Sequence, residues 1–386
     1  MNRRGVCALI SLVGVSGCLR FGSPETETRS EEPSDAESET GDEKPIDELS
    51  LSKRWEYGGI GRNLSSFASV DGRFFAVDYS PTAAQRILSF DTDGDEIWSS
   101  EPLCKNQRIF GLVGTIAVDT DTVYVASRHT DSDRARITAF DRGSGEKRWY
   151  DETDSSGTRS RITNVELTDN LLLYASDTAA PTQAQDPLLR ALDKSTGEQR
   201  WAKSYPRNDL AGAAVYDETV FLGTSDGLLI YNTRGEELDR IDINSGVDTK
   251  QHGEFVYTYA HDESSICAID AASHELRWSE PFAPDPAGIE AGFGSVYVSG
   301  TDGLVVRCDS ETGNRRWTTE AGTKLTPQEH FVWVETTDGS LRALSAANGD
   351  QIYEERFADG RYPDIATSGN QLVVSRGAVA YTVSAS

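Results

Sequence analysis

The stretch Arg190-Ala-Leu-Asp-Lys-Ser-Thr-Gly-Glu-Gln-Arg-Trp201 constrains this chain more than any other, because the chain repeats it. Leu189, Ala191 and Asp193 alternate with Arg190 and Leu192, the period-two pattern of a strand with two faces. The strand ends near Asp193, whose carboxylate can accept N–H bonds from the residues ahead, while Gly197 is free to take a positive φ. A tight turn follows. Glu198 to Trp201 then runs back as a second strand and delivers an indole, whose burial is worth several kcal/mol, to a fixed place in the unit.

The other copies read Ser89-Phe-Asp91…Gly94…Trp98, Ala139-Phe-Asp141…Gly145…Trp149, Ala268-Ile-Asp270…Trp278, Arg307-Cys-Asp309…Gly313…Trp317 and Ala343-Leu-Ser345…Gly349…Tyr353, with a degenerate copy at Ile230-Tyr-Asn232…Gly235…Leu238. An apolar alternating run precedes each unit, from Phe74-Phe-Ala-Val77 to Leu372-Val-Val374, and these runs number eight. Asp226-Gly227, Asp302-Gly303 and Asp338-Gly339 are hairpin dipeptides that join some of them to the next strand. A repeat of roughly 36–52 residues filling most of the chain argues for one closed array rather than two ordinary domains.

Four antiparallel strands per unit, with one wet edge, pack radially as the blades of a propeller. The last unit stops at Ala380-Tyr-Thr-Val383 without a Trp strand, whereas Leu51-Ser-Lys-Arg-Trp55 is a Trp strand with nothing before it. The expected fold is therefore all-β: an eight-bladed β-propeller of four-stranded antiparallel blades, closed by the N-terminal strand completing the last blade. It would occupy residues 51–386.

The pattern Val-Tyr-Val…Asp-Gly…Ala-Leu-Asp-x-x-Thr-Gly-Glu-x-x-Trp resembles the pyrroloquinoline-quinone-like (PQQ-like) propeller repeat. With its N-terminus and length, the chain is most similar to the lipoproteins of the bacterial outer-membrane barrel-assembly machinery and their archaeal relatives. The resemblance covers about residues 51–386 and is specific for fold, not for activity. Quinoprotein dehydrogenases share the repeat, and that branch of the resemblance implies a vicinal cysteine ring on the cofactor and Glu/Asn/Asp calcium ligands. This chain has no adjacent cysteines. No cofactor, metal or catalytic residue is expected, and the alternative left open is a quinone-dependent oxidoreductase, or another small-molecule-binding enzyme, using the central channel.

Residues 1–18 have a basic start at Arg3 and Arg4, an apolar run from Val6 to Val15 and the ending Val15-Ser-Gly-Cys18. This is the layout of a secretory signal and resembles a lipoprotein box, which would leave Cys18 as the lipid-bearing first residue. The arginine pair resembles a twin-arginine export signal with an incomplete flanking motif. Residues 19–50 form an acidic tether too poor in large apolar residues to fold. Lys+Arg total 37 against 63 Asp+Glu, a formal net charge of −26, so the surface would repel a nucleic acid. Arg outnumbers Lys and Met occurs once, a composition resembling the secreted proteins of salt-loving archaea. An archaeon has no outer membrane, so the barrel-assembly role is not carried over. The expected location is the outer face of the cytoplasmic membrane.

Other motifs are absorbed by the repeat. Gly223-Thr-Ser-Asp-Gly227 matches a nucleophile elbow but lies at a hairpin tip, where Ser225 is a turn residue. Asp91-Thr-Asp-Gly-Asp95 has calcium-like spacing but occupies the repeat's turn. His129, His252, His261, His274 and His330 are dispersed, and Asn63-Leu-Ser65 fits a glycosylation sequon of a kind common by chance. Cys267 and Cys308 sit at different heights in adjacent units, so no disulfide between them is expected.

The departures from the repeat point to one face. Long loops between second and third strands are expected at Ser80–Gln85, His129–Arg134 and Thr178–Pro187, and long interblade links at Glu101–Arg108 and Asp151–Ser160. All fall in blades one to three, on the side opposite the Asp-x-x-Thr-Gly turns. They bring Arg108, Arg128, His129, Arg134, Arg159 and Arg161 together against the acidic trend, as a candidate face for a protein partner at the membrane surface; ordinary surface variation is the alternative. Phe110 and Tyr150 are the candidate apolar contacts, and Arg142 and Lys194 in the opposite turns should be neutral controls. A monomer is expected.

Overall fold

Strands that are apolar on both faces need cover on both, and the eight apolar runs obtain it by lying second in four-stranded antiparallel sheets packed face to face. The computed structural model describes residues 49–57, 63–79, 85–103, 115–129, 134–153, 160–178, 188–205, 212–244, 249–336, 338–356, 365–374 and 379–385. Among them are strands β1 to β32 in chain order and no helix. Blade 1 is β2–β5 (63–99), blade 2 β6–β9 (115–152), blade 3 β10–β13 (160–204) and blade 4 β14–β17 (212–241). Blade 5 is β18–β21 (250–281), blade 6 β22–β25 (286–320), blade 7 β26–β29 (324–356), and blade 8 is β30–β32 (365–385) with β1 (Leu49–Glu56).

The closure expected from the unpaired strands at the two ends is present. β1 lies antiparallel to β32 (Val379–Ala385), from Leu49 opposite Ala385 to Glu56 opposite Val379. The innermost strands neighbour one another in turn, and β30 (Ile365–Ser368) returns to β2 (Asn63–Val70). No blade edge of the ring is left over at the closure.

The apolar core is divided into wedges between consecutive blades. Phe75, Val77 and Trp98 of blade 1 meet Ile116, Val118 and Phe140 of blade 2. Trp333 and Leu341 of blade 7 meet Leu372, Val383 and Leu49 of blade 8, and Val373 and Ala380 of blade 8 meet Phe74 and Phe90 of blade 1. Each blade is thus held by two neighbours, so the ring is one cooperative body.

Within a blade, the third and fourth strands pair with one residue skipped just before the turn. Ala191 faces Trp201 but Leu192 faces Gln199, so Arg200 bulges out. The same shift separates Arg307/Trp317 from Cys308/Arg315. This bulge aims the tryptophan sideways at the next blade.

Candidate interaction faces

Strand direction divides the connections between two faces. Turns from first to second strand and from third to fourth strand lie on one, here the turn face. Loops from second to third strand and the interblade links lie on the other, the loop face.

The turn face is closed upon itself. Asp141 Oδ1 accepts N–H bonds from Gly143 at 2.9 Å and Ser144 at 2.8 Å, while Oδ2 accepts from Arg148 at 2.6 Å. Asp193 repeats this with Ser195, Thr196 and Arg200, and Asp309 with Thr312 and Arg316. The Arg148 guanidinium, then the Ser144 N–H, hold the Asp141 carboxyl down at about 2. Asp91 Oδ1 accepts from the N–H of Asp93 at 2.9 Å and Asp95 at 3.0 Å, the turn use of that motif. Ser225 belongs to the other face, in the second-to-third-strand turn between β15 (Thr219–Thr224) and β16 (Gly227–Asn232).

Each fourth-strand tryptophan locks onto the following blade's turn. Trp149 lies over Gly197 and donates Nε1–H to Lys194 O at 2.9 Å; Trp278 lies over Gly313 and donates to Ser310 O at 3.0 Å. Equivalent locks join Trp55 to Gly94, Trp98 to Gly145, Trp201 to Gly235 and Trp317 to Gly349. A Cβ on Gly197 would meet the Trp149 ring at 2.7 Å, so the approach needs glycine as well as its φ of +75°.

Arg142 and Lys194, the turn residues expected to leave partner capture unaffected, are built into the blade joints. Arg142 donates to Asp71 Oδ2 at 3.0 Å and to Val70 O at 3.4 Å, reaching back to blade 1. Lys194 reaches back to Asp119 of blade 2 at 3.1 Å, with both side chains only 14% exposed. The residue after the repeat Asp therefore ties its turn to the preceding blade.

On the loop face, Arg108 and Arg159 lie outside the described residues, as do Phe110 and most of the expected long loops. Arg128 and His129 end β7 (Thr122–His129), and Arg161 stands near the start of β10 (Ser160–Leu167). His129 faces Arg134 in register, and Arg161 faces Asp177. Arg134 stands 3.9 Å from Glu152, which Arg136 contacts more closely through Nε at 2.8 Å. Tyr150 is 53% exposed, with the Arg136 guanidinium 4.5 Å from its ring centroid.

The sequence reading missed the acidic half of this rim. Asp151 accepts the Tyr174 hydroxyl at 2.6 Å and the buried Arg190 guanidinium at 3.3 Å, and Glu152 answers Arg134 and Arg136. Burial, then the Asp151 carboxylate, push the Tyr174 hydroxyl above the ordinary tyrosine range, so it remains a donor. The pair Asp151-Glu152 directly after Trp149-Tyr150 was the available signal. Nor is elaboration confined to blades one to three: 205–211 and 242–249 separate blades 3 from 4 and 4 from 5, comparably to 153–159 between blades 2 and 3.

The described residues do not assemble the donor set for a quinone and its calcium. Cys267 and Cys308 are buried, free and on different blades, and burial pushes the Cys308 thiol up to about 12. Among the described residues, no three His, Cys, Asp or Glu side chains gather at metal-binding distance.

Residues 52–180, 83–259, 185–290 and 262–385 each match the family described as outer membrane protein assembly factor BamB. The outer membrane protein assembly factor BamB of Pseudomonas aeruginosa is 30% identical over 190 residues, 45% of this chain and 49% of that protein. The chain thus spans about half the length of this curated relative. The crystal structure of BamB from Moraxella catarrhalis superposes with a TM-score of 0.61 at 15% identity, covering 87% of this chain and 97% of that one. Quinohemoprotein alcohol dehydrogenase from Comamonas testosteroni gives 0.60 at 14% identity, covering 88% and 76%. At such identities these two structures share the fold.

Proposed function

Since this chain belongs to the family of the outer membrane protein assembly factor BamB, we propose that it is a non-enzymatic interaction scaffold, lipid-anchored through Cys18 on the outside of the cytoplasmic membrane. The observation that carries this reading is the inequality of the two faces. The turn face spends its carboxylates, indoles and cations on its own turns and blade joints. The loop face carries the connections of variable length and the exposed Tyr150.

The entry point of the chain agrees with this use. Leu49 pairs with Ala385 at the turn-face end of blade 8, so the preceding residues join the propeller on the side away from the loop face. A tether there leaves the loop face clear for a partner. The proposed contact set is Arg108, Arg128, His129, Arg134, Arg159 and Arg161, receiving an acidic protein segment that also offers apolar surface to Tyr150. The protein acts as a monomer, and binds no nucleic acid. Quinone-dependent oxidation in the central channel has only the shared fold in its favour.

Capture from native membranes tests the reading. Charge reversal at Arg128, Arg134, Arg159 and Arg161 should weaken recovery of the partner and leave the melting temperature unchanged. Cys18→Ser should move the protein out of the membrane fraction. Undiminished capture by the four-reversal protein would assign the binding elsewhere.

A further inference from the structure

Six of the eight blade joints carry the tryptophan–glycine lock; at a seventh, between blades 7 and 8, Tyr353 stands in the tryptophan's place and blade 8 has no turn from third to fourth strand to receive it, because its fourth strand is β1. The joint between blades 4 and 5 is built differently, and both of its positions have changed together. In blade 4 the turn is one residue shorter, with Gly235 third after Asn232, and the bulge skips Leu238. Ile230 therefore faces Asp239, as Ala191 faces Trp201. Asp239 stands in the tryptophan's place.

Its counterpart in blade 5 is His274, fourth after Asp270, where the other turns have glycine. His274 keeps the left-handed conformation, with φ of 63°. The side chain that glycine lacks now crosses the joint. His274 Nδ1 lies 3.3 Å from Asp239 Oδ2, and the imidazole stands edge to face with Phe221 at 5.8 Å. Phe221 is the second-strand aromatic of blade 4, the position from which Tyr124, Tyr257 and Tyr297 pack against their own blade's tryptophan. The imidazole fills part of the volume an indole fills elsewhere. Leu238, skipped by the bulge, is left 52% exposed.

The two kinds of joint differ in physical character. An indole stacked on a turn removes a large apolar surface from water and donates one hydrogen bond into the next blade. The joint here has instead one polar contact, His274 to Asp239 at 3.3 Å, with Asp239 51% exposed, where such contacts contribute little. The apolar wedge beneath, with Phe221, Ile230, Val256 and Ile269, remains. We infer that the joint between blades 4 and 5 is the release seam of the ring, where the propeller opens locally before any tryptophan-locked joint, and that Asp239 and His274 are its latch. A non-glycine residue held at positive φ in that one turn fits a position kept for something other than tight locking.

Hydrogen exchange of the full chain, read by mass spectrometry, tests this. Amides in 237–241 and 270–276 should exchange at least tenfold faster than those in 199–204 and 309–315, their equivalents at locked joints. Asp239→Trp with His274→Gly should rebuild the lock and bring the seam to the exchange rate of its neighbours, whereas either substitution alone should not. If the repaired protein fails to fold, Gly313→Ala is the second reading: it breaks the lock between blades 5 and 6 and should raise exchange there to the seam's level. Equal exchange at all joints of the wild-type chain would overturn the inference, as would a folded repaired variant whose seam exchanges no slower.

Discussion

At the scale of single residues the ring is held by pairs that only make sense across a blade boundary. Gly197 and Gly253 have similar positive φ, 75° and 61°, so alanine at either should cost about 1 kcal/mol in backbone strain. Only at Gly197 would the new methyl meet an indole, while at Gly253 nothing lies within 4 Å. Gly197→Ala should therefore lose about 1–3 kcal/mol more than Gly253→Ala in urea unfolding; equal losses would mean that Trp149 moves aside freely. The turn carboxylates make a second prediction. Asp141 ionises at about 2 when folded, against an ordinary value of 3.8, so between these pH values the unfolded chain binds more protons. Its contribution is complete above that window and is lost as pH falls through it. Asp141→Asn should flatten the fall of the urea midpoint between pH 4 and pH 2; an unchanged slope would show that Arg148 gives the carboxylate nothing. The Asp turn and the Trp were legible because each repeats at fixed spacing. Asp239 was misread as Leu238 because the reading counted from the apolar strand, whereas the tryptophan follows its glycine by a constant interval, Gly197 to Trp201 and Gly313 to Trp317. The partnership of Asp239 with His274 spans two units and no single repeat displays it.

Among elements, β1 bears the most for its length, since it contributes both an edge and a lock. It covers β32 along its whole span, and its Trp55 donates to Thr92 O of blade 1 at 3.2 Å while stacking on Phe90. Deleting residues 51–57 should expose β32 and break the joint between blades 8 and 1, lowering the melting temperature of the whole ring; shortening the acidic segment 19–48 should leave it unchanged. Identical melting curves for the two deletions and the full chain would refute the shared blade. This element was readable because strand counting leaves two unpaired ends that complete each other. The loop face was less readable. Loop lengths in a sequence depend on where strands are judged to stop, and the links at 205–211 and 242–249 are as long as one that had been singled out. Arginines in the strand ends were visible, but the Asp151 and Glu152 that answer Arg134, Arg136 and Arg190 come from the outer strand, whose alternation is weak because most of it faces water.

For the molecule as a whole the opposing terms are a net charge of −26 and a surface laced with ion pairs, and salt separates them. Repulsion among like charges spread over a propeller acts across distances longer than the Debye length, about 10 Å at 0.1 M salt, and is removed as that length shrinks to about 3 Å at 1 M. The pairs on the turns are contacts, such as Arg200 to Asp193 at 2.6 Å and Arg316 to Asp309 at 2.8 Å, with their oxygens also held by backbone N–H groups. Contact pairs of this kind are screened less than long-range repulsion, and the exposed ones contribute little. The apolar wedges between blades gain slightly from excluded salts. Two of the three terms thus favour the folded ring as salt rises and the third opposes them only weakly, so the melting temperature should rise steadily from 0.1 M to 2 M sodium chloride. The seam between blades 4 and 5 should gain least, because no indole is buried across it for excluded salt to favour. A melting temperature that fell across this range would show that the ion pairs outweigh the self-repulsion of the ring.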